Sequence, residues 1–245
     1  MKAVSGVFRS RVDAERAVPV FQSAGVSTEK MTVLTPGDIQ RGSTEVGSEA
    51  LSGPSGMPVF TAVVPGVGMI TALGLLGAAV LRAAGAREEA IAGTNIENPA
   101  SDELPEDEIF VYEEVLRNGG SIFVAMAEEE ATGHLRELLN ANGTESIDAA
   151  RHRWWYGLRS SEEKYYSTFD RNFSEDEKFY RLGFEAALHA RTRCKEYDQV
   201  VGEMNAKLED VQRKYPGADV EKPFVHGYER GRDYYQGLCN QASAA

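Results

Sequence analysis

Cysteine, histidine and net positive charge are all scarce in this chain. Of its 245 residues two are cysteine, Cys194 and Cys239, and the N-terminus has no apolar leader, so we expect a cytoplasmic protein without a disulfide scaffold. The four histidines are too scattered for a zinc signature. A net charge of −12 disfavours nucleic-acid binding. No phosphate loop or full dinucleotide fingerprint occurs, so we expect no cofactor and no catalytic residues.

Charge and aromatic residues divide the chain into two parts. Residues 1–150 hold 10 Lys and Arg against 22 Asp and Glu, whereas residues 151–245 hold 16 of each. Of the 22 aromatic residues 16 follow residue 150, beginning with Trp154. We therefore predict a first domain over residues 1–150 and an aromatic-rich helical module over residues 151–245.

The first domain contains the order strand, helix, strand twice. Two such halves predict a split ferredoxin-like α+β domain, in which an antiparallel four-stranded sheet carries two helices on one face. An additional acidic helix is expected between Glu106 and Arg117. The six predicted elements are the strand Lys2–Arg9, the helix Ser10–Gly25, the strand Met31–Leu34, the strand Ser121–Met126, the helix Glu128–Asn140 and the strand Glu145–Ala149.

Two stretches of this domain resemble a known family. They are GVFRSRVDAERAVPVFQSAGVSTEKMTVLTP and, after a glycine-rich apolar insertion, LPEDEIFVYEEVLRNGGSIFVAMAEEE. Over residues 2–150 the chain is similar to the bacterial heat-induced or general stress proteins with a glycine-rich ferredoxin-like domain. The resemblance implies a non-enzymatic, stress-associated protein in the cytoplasm or beside the membrane, and it implies no active-site residues.

The insertion, residues about 50–95, contains a long apolar run. Ala50 to Leu81 has no charged residue, and the mean hydropathy of residues 57–81 lies in the range of a membrane span. One crossing would separate strands that must pair, and two would need roughly 40 apolar residues. We therefore predict a helix from Gly68 to Ala84, apolar all round, with Gly74 and Ala78 as a close-packing pair.

Three explanations of this helix remain open: burial against a second copy, contact with a membrane surface, or burial in the core of the monomer. The acidic segment that follows, residues 97–117, would be repelled by anionic lipid, which favours burial in protein. We interpret that segment as a solvated acidic face rather than a cation site. The predicted interface residues are Leu73, Gly74, Leu76, Gly77, Ala78, Val80 and Leu81.

The C-terminal part is predicted to be a small helical bundle. Capping boxes at Ser160 and Ser174 suggest helices over residues 161–170 and 175–193, and two more follow over 198–214 and 223–240.

The second and fourth of these helices repeat one pattern, in which an aromatic residue is followed three positions later by Gly, a second aromatic residue and Glu. Glycine is costly inside a helix, so Gly183, Ala187, Gly227 and Gly231 are predicted to mark a close helix contact. An alternative interpretation makes Glu185 and Glu229, with His189 or His226, a metal site. The di-iron pattern of bundles is not matched, so we expect no metal.

The function that these patterns favour is that of a stress-associated structural or scaffold protein. It would form a homo-oligomer or dock on a larger protein complex through the apolar helix, in the cytoplasm or at the inner face of the cell membrane, where it would be membrane-associated. One alternative is a sensor that binds a small molecule between subunits, in a polar pocket at the sheet edge near Gly119 and Gly120. Another is a scaffold or carrier whose apolar helices line a channel or cavity for a lipid-like ligand or quinone.

Overall fold

The computed structural model describes residues 1–37, 56–86 and 104–244. Two compact units divide the chain, residues 1–153 and residues 154–245. Parts of two predicted segments lie outside the described residues. These parts are residues 50–55 and 87–95 of the apolar insertion and residues 97–103 of the acidic segment.

The first unit is built on one antiparallel sheet, to which the described residues contribute six strands. They are β1 (Lys2–Phe8), β2 (Met31–Pro36), β3 (Val59–Val64), β4 (Gly68–Leu73), β5 (Ser121–Ala127) and β6 (Glu145–Ser146). Their order across the sheet is β3-β4-β2-β5-β1-β6.

Strands from before and after the apolar segment pair directly. In β1, Phe8 lies opposite Ser121 of β5, and in β2, Leu34 lies opposite Ile122 of the same strand. The prediction of a mixed α+β protein with an antiparallel sheet is therefore confirmed. The predicted number of four strands is wrong, because the apolar segment itself adds β3 and β4 to one edge.

Helices cover both faces of the sheet in the first unit. They are α1 (Arg11–Ser23), α2 (Leu75–Ala83), α3 (Ile109–Arg117) and α4 (Thr132–Ala141). One core cluster joins α1 and α4 to Phe123, Ala125 and Ala127 of β5. The alternate residues Ile122, Val124 and Met126 are also buried, and they point to the opposite face, against which α3 packs.

The predicted helix from Gly68 to Ala84 is wrong over its first half. Residues 68–73 form β4, and the helix α2 begins only after Gly74. Gly74 has a φ of 109°, and a Cβ there would lie 2.3 Å from the carbonyl oxygen of Met31. Only glycine fits this turn from strand to helix. An uninterrupted apolar run is compatible with buried strands as well as with a buried helix, so hydropathy could not separate them.

The second unit is helical. The division between the units falls within α5 (Ile147–Tyr166), which is followed by α6 (Phe173–Leu188), α7 (Tyr197–Lys214) and α8 (Glu221–Ala244).

Both predicted capping boxes at helix starts in this part are wrong. Ser160 lies within α5, where the neighbouring Ser161 hydroxyl donates to the Leu158 carbonyl at 2.7 Å. In α6 the N-cap is Asn172, whose side chain accepts from the amide of Ser174 at 3.1 Å. The spacing of hydroxyl and carboxylate residues therefore predicts both helix starts at the wrong residue, because Ser side chains also bond to carbonyls inside helices.

Candidate functional site

The outer edge of β3 is the candidate site. No charged residue occurs between Gly56 and Leu81, so the whole β3–β4 hairpin is uncharged. Ala62 and Val64 are buried, whereas Val63 is 58% exposed and Met69, directly opposite it in β4, is 37% exposed. The hairpin therefore presents a small apolar surface beside an edge strand.

The hairpin is held in place by three contacts to the rest of the first unit. The guanidinium Nε of Arg117 donates to the carbonyl of Gly66 in the hairpin turn at 2.7 Å. The amide of Gly37 donates to the carbonyl of Met69 at 2.7 Å, and β2 pairs with β4 through Val33 and Leu73. The edge is therefore fixed and needs no rearrangement before it could pair with another strand.

The two ends of the sheet differ. β6, at the far end, has only two residues, Glu145 and Ser146, and Glu145 is paired with Arg153. At the near end β3 has six residues, and within the part of the chain that the structure describes no strand lies on its outer side. A charged, very short edge strand resists pairing with another chain, and a long uncharged one invites it.

The seven predicted interface residues lie inside the first unit. Leu73, Leu76, Ala78, Val80 and Leu81 are all less than 5% exposed, and the two glycines are also buried. A Cβ on Gly77 would lie 2.6 Å from the Ala72 Cβ, so α2 rests directly on the sheet. Residues of the same chain thus cover this helix, and its role in self-association stays a prediction.

The part of the acidic segment that lies in α3 does not form a solvated face, whereas Glu106 and Asp107 before it are exposed. Glu113 is 3% exposed and Glu114 9% exposed on α3, and Glu114 is paired with Arg117. The interpretation as a solvated face is therefore wrong for α3. Six apolar or aromatic residues of this helix are buried, and because Glu113 and Glu114 lie between them in the helix, these two residues are buried as well.

A partly buried hydrogen-bond chain links α3 to β1. The hydroxyl of Tyr112 donates to the Glu108 carboxylate at 2.7 Å and lies 2.6 Å from the Ser5 hydroxyl. Burial raises the pKa of Glu108, and the nearby Asp107 raises it further. Burial and the Glu108 charge together raise the pKa of Tyr112 well above its ordinary value. These groups are engaged with one another and pin the helix to the sheet.

Gly119 and Gly120, where the alternative function required a pocket at the sheet edge, are placed elsewhere. They precede β5, which has β2 on one side and β1 on the other. The two glycines therefore lie at the end of an interior strand, and not at an edge of the sheet.

In the second unit α6 and α8 approach each other through glycine. A Cβ on Gly183 would lie 1.9 Å from the Phe224 carbonyl oxygen, and one on Gly227 would lie 1.9 Å from the Tyr180 carbonyl oxygen. One turn further along α8, a Cβ on Gly231 would lie 2.4 Å from the Phe184 oxygen and 3.1 Å from the Ala187 Cβ. The contacts are reciprocal, as expected for a pair of helices with matching sequence patterns.

An ion pair that the sequence does not predict joins a buried carboxylate on α5 to a partly buried arginine on α8. Glu162 on α5 is 1% exposed, and it accepts two hydrogen bonds from Arg230 on α8, at 3.0 and 3.1 Å. The Tyr180 hydroxyl donates to the same carboxylate at 2.7 Å. Burial and the Glu162 charge raise the pKa of Tyr180. Residues 162 and 230 are too far apart in sequence for spacing to have revealed the pair.

The four metal candidates are engaged in other contacts or lie apart from one another. Glu185 accepts a hydrogen bond from Arg181, one turn earlier in α6, at 2.5 Å. His189 ends α6, and its carbonyl accepts from the amide of Arg193. His226 stacks on Phe169 with ring centroids 4.0 Å apart, and Glu229 is exposed. Among residues 1–37, 56–86 and 104–244 no group of three or more His, Cys, Asp or Glu is arranged to hold a metal ion.

Comparison of the chain with known proteins found no match. The chain matches no protein-family model, no curated protein and no solved structure. Across the described ranges, every helix is too short or too polar to cross a membrane.

Proposed function

We propose that the protein is a non-enzymatic interaction protein that self-associates by pairing the outer edges of β3 from two copies. The observation that carries the proposal is the uncharged six-residue edge strand β3, in which the exposed Val63 lies opposite the exposed Met69 of β4. Two copies related by a two-fold axis would place their β3 strands antiparallel, so that the same patch meets itself. Main-chain hydrogen bonds would then continue the sheet from one copy into the other.

Charge supports this choice of surface. The whole net charge of −12 lies in residues 1–150, so this part of the chain repels its counterpart in a second copy, and residues 56–81 are a segment of it where no charge opposes the approach. The sequence predicts an interface on α2. We propose β3 instead, because α2 is already covered by its own sheet.

The remaining parts of the proposal rest on the arrangement of strands and on the resemblance. The strands of the two halves lie next to each other in the order β2-β5-β1-β6, and α1 and α4 share one face, which supports a split ferredoxin-like domain enlarged by β3 and β4. Association with stress follows from the resemblance of residues 2–150 to the heat-induced proteins.

The test is a lysine placed on the edge strand. Val63→Lys puts a charge where two β3 strands would meet, and lysine on an edge strand is a known block to pairing. Light scattering after size exclusion, at two protein concentrations, should give a mass above the monomer for the wild type and the monomer mass for Val63→Lys.

A matched control is available in the same unit. Val12 on α1 is 58% exposed, as is Val63, so Val12→Lys adds the same charge at the same exposure away from β3. It should retain the wild-type mass. A monomeric wild type at both concentrations, or a Val63→Lys variant with the wild-type mass, contradicts the proposal. Leu76→Glu is unsuitable as a test, because Leu76 is fully buried and the variant would unfold.

A further inference from the structure

The hydrogen bonds around the β3–β4 hairpin show which main-chain groups of β3 point to its outer edge. The amide of Gly74, directly after β4, donates to the carbonyl of Pro58, directly before β3, at 2.8 Å. The carbonyl of Met69 in β4 accepts from Gly37, so it points to β2 and not to β3. Hydrogen-bonded and non-hydrogen-bonded pairs alternate along an antiparallel ladder. The even-numbered residues of β3 therefore bond to β4, and the odd-numbered residues turn their N–H and C=O groups outward.

The outward-facing residues of β3 read the same in both directions. They are Val59, Thr61 and Val63, and their side chains share one face of the sheet, because successive side chains of a strand alternate between faces. Thr61 and Val63 are exposed, and Val59 is half-buried. An antiparallel copy of the same strand, centred on Thr61, places valine opposite valine and threonine opposite threonine. This symmetric order fits a second copy of the chain as the partner.

The other face of β3 fits the same partner. With Thr61 at the centre, Phe60 lies opposite Ala62 of the second copy in a non-hydrogen-bonded pair, the kind in which side chains come closest. Phe60 is half-buried and Ala62 is buried. A large ring beside a small side chain avoids a clash, and the pairing would cover more of the Phe60 ring.

Other registers engage fewer of the outward-facing groups. A shift of two residues in one direction places Val59 opposite Pro65, which has no N–H to donate. A shift of two residues in the other direction places Val63 opposite Met57, which is buried and precedes β3. A shift of one residue sets outward-facing groups against groups that already bond to β4. The register centred on Thr61 engages all three outward-facing residues.

We propose that two copies pair in this one register, with Thr61 of both copies on the two-fold axis. The inference rests on the proposed function, because it specifies how the two β3 edges meet. Val59 of each copy pairs with Val63 of the other, and the two Thr61 residues pair with each other. Each of these pairs exchanges two main-chain hydrogen bonds, so the two sheets become one.

Thr61 specifies the register because it ends a row of threonines. Thr71 of β4 lies directly opposite Thr61, and Thr35 of β2 lies directly opposite Thr71. In the proposed register this row meets its counterpart in the second copy, and the two Thr61 hydroxyls come within reach of each other across the axis. In either register shifted by two residues Thr61 would face a valine instead.

Disulfide cross-linking of the full chain measures the register. In a background of Cys194→Ser and Cys239→Ser, Thr61→Cys places two thiols opposite each other at a Cα separation of about 5.5 Å, which suits a disulfide. Mild oxidation in buffer should give a covalent dimer of twice the chain mass, and dithiothreitol should reverse it. Peptide mapping should recover two residue-61 peptides joined to each other.

Single cysteines at the neighbouring outward-facing positions are matched controls in the same background. Two chains with Val59→Cys, or two with Val63→Cys, would hold their thiols about 13 Å apart along the strands, which is too far for a disulfide. Neither variant should cross-link by itself, whereas a mixture of the two should. The mixture tests the same register without changing Thr61. Adding Val63→Lys to Thr61→Cys should abolish the covalent dimer.

The outcomes separate this inference from the proposed function. The register is overturned if Val63→Cys cross-links with itself, or if Thr61→Cys keeps the oligomer mass but does not cross-link. In both cases the loss of mass in Val63→Lys still supports association through β3. A wild type that is monomeric at both protein concentrations overturns the register and the proposed function together.

Discussion

The buried carboxylate of Glu162 and the half-buried carboxylate of Glu108 are accommodated in different ways. Glu162 accepts two hydrogen bonds from the Arg230 guanidinium, so its carboxylate lies against an opposite charge. Glu108 has the Tyr112 hydroxyl as its donor, and burial raises its pKa. Removing a charge at position 108 should therefore relieve a cost, whereas at position 162 it would strand an arginine that is partly buried.

Glu108→Gln should stabilise the protein at neutral pH. The amide oxygen of Gln can still accept from Tyr112, and no charge has to be buried. A carboxyl whose pKa is raised on folding favours the folded state most below its unfolded pKa, and this contribution is lost as pH rises through the raised value. The stability gained by the variant should therefore be absent in acid and should grow as the pH rises. Its full size should be about 1.4 kcal/mol for each unit by which folding raises the pKa of Glu108.

Urea unfolding of both proteins over a pH series measures this difference. Glu137→Gln is the control, since Glu137 is exposed on α4 of the same unit, and its stability should stay within about 0.5 kcal/mol of the wild type. A gain for Glu108→Gln that does not depend on pH would show that the carboxyl is not perturbed by burial.

At the scale of elements, the α6–α8 contact depends on glycine. Gly227→Ala places a methyl group 1.9 Å from the Tyr180 carbonyl, and backbone atoms cannot move aside without separating the helices. Overpacking of this kind costs about 1–3 kcal/mol or more, which exceeds the gain of about 1 kcal/mol from the helix propensity of alanine. Thermal or urea unfolding should show a clear loss of stability.

The same substitution in the same helix provides the control. Gly237 also lies in α8, and a Cβ there would have no neighbour within 4 Å. Gly237→Ala should therefore stabilise the protein by up to about 1 kcal/mol. If both variants shift stability in the same direction, close packing at Gly227 is not what determines its residue type.

Local sequence patterns were sufficient for the elements with clear boundaries. Ser10 caps α1, as expected, with its side chain accepting from the Asp13 amide at 3.2 Å. The strands β1, β2 and β5 and the helix α4 also occur where alternation and turn residues indicated.

The rest depended on contacts between distant residues. Nothing near Gly74 in the sequence reveals that the Met31 carbonyl lies against it, so the sequence predicts β4 and α2 as one helix. The ion pair of Glu162 with Arg230 joins two different helices, so no local spacing predicts it. The position of β3 at the end of the sheet also depends on distant contacts, since it follows from the pairing of β3 with β4 and of β4 with β2.

At the scale of the whole molecule, the negative net charge opposes the association that the uncharged edge strand β3 would favour. The net charge of −12 arises from residues 1–150, the part of the chain that also contains the uncharged β3–β4 hairpin. Repulsion between two such copies is long-ranged, whereas strand pairing acts only at contact. The balance between them should depend on ionic strength.

Self-association should therefore strengthen as salt is added. The screening length falls from about 30 Å at 0.01 M to about 10 Å at 0.1 M salt, which removes most repulsion between copies and leaves main-chain pairing unaffected. Sedimentation velocity at these two salt concentrations should show a larger oligomer fraction at the higher one, and Val63→Lys should remain monomeric at both. Association that weakens with salt would point instead to an interface between opposite charges, and β3, which has no charge, could not provide it.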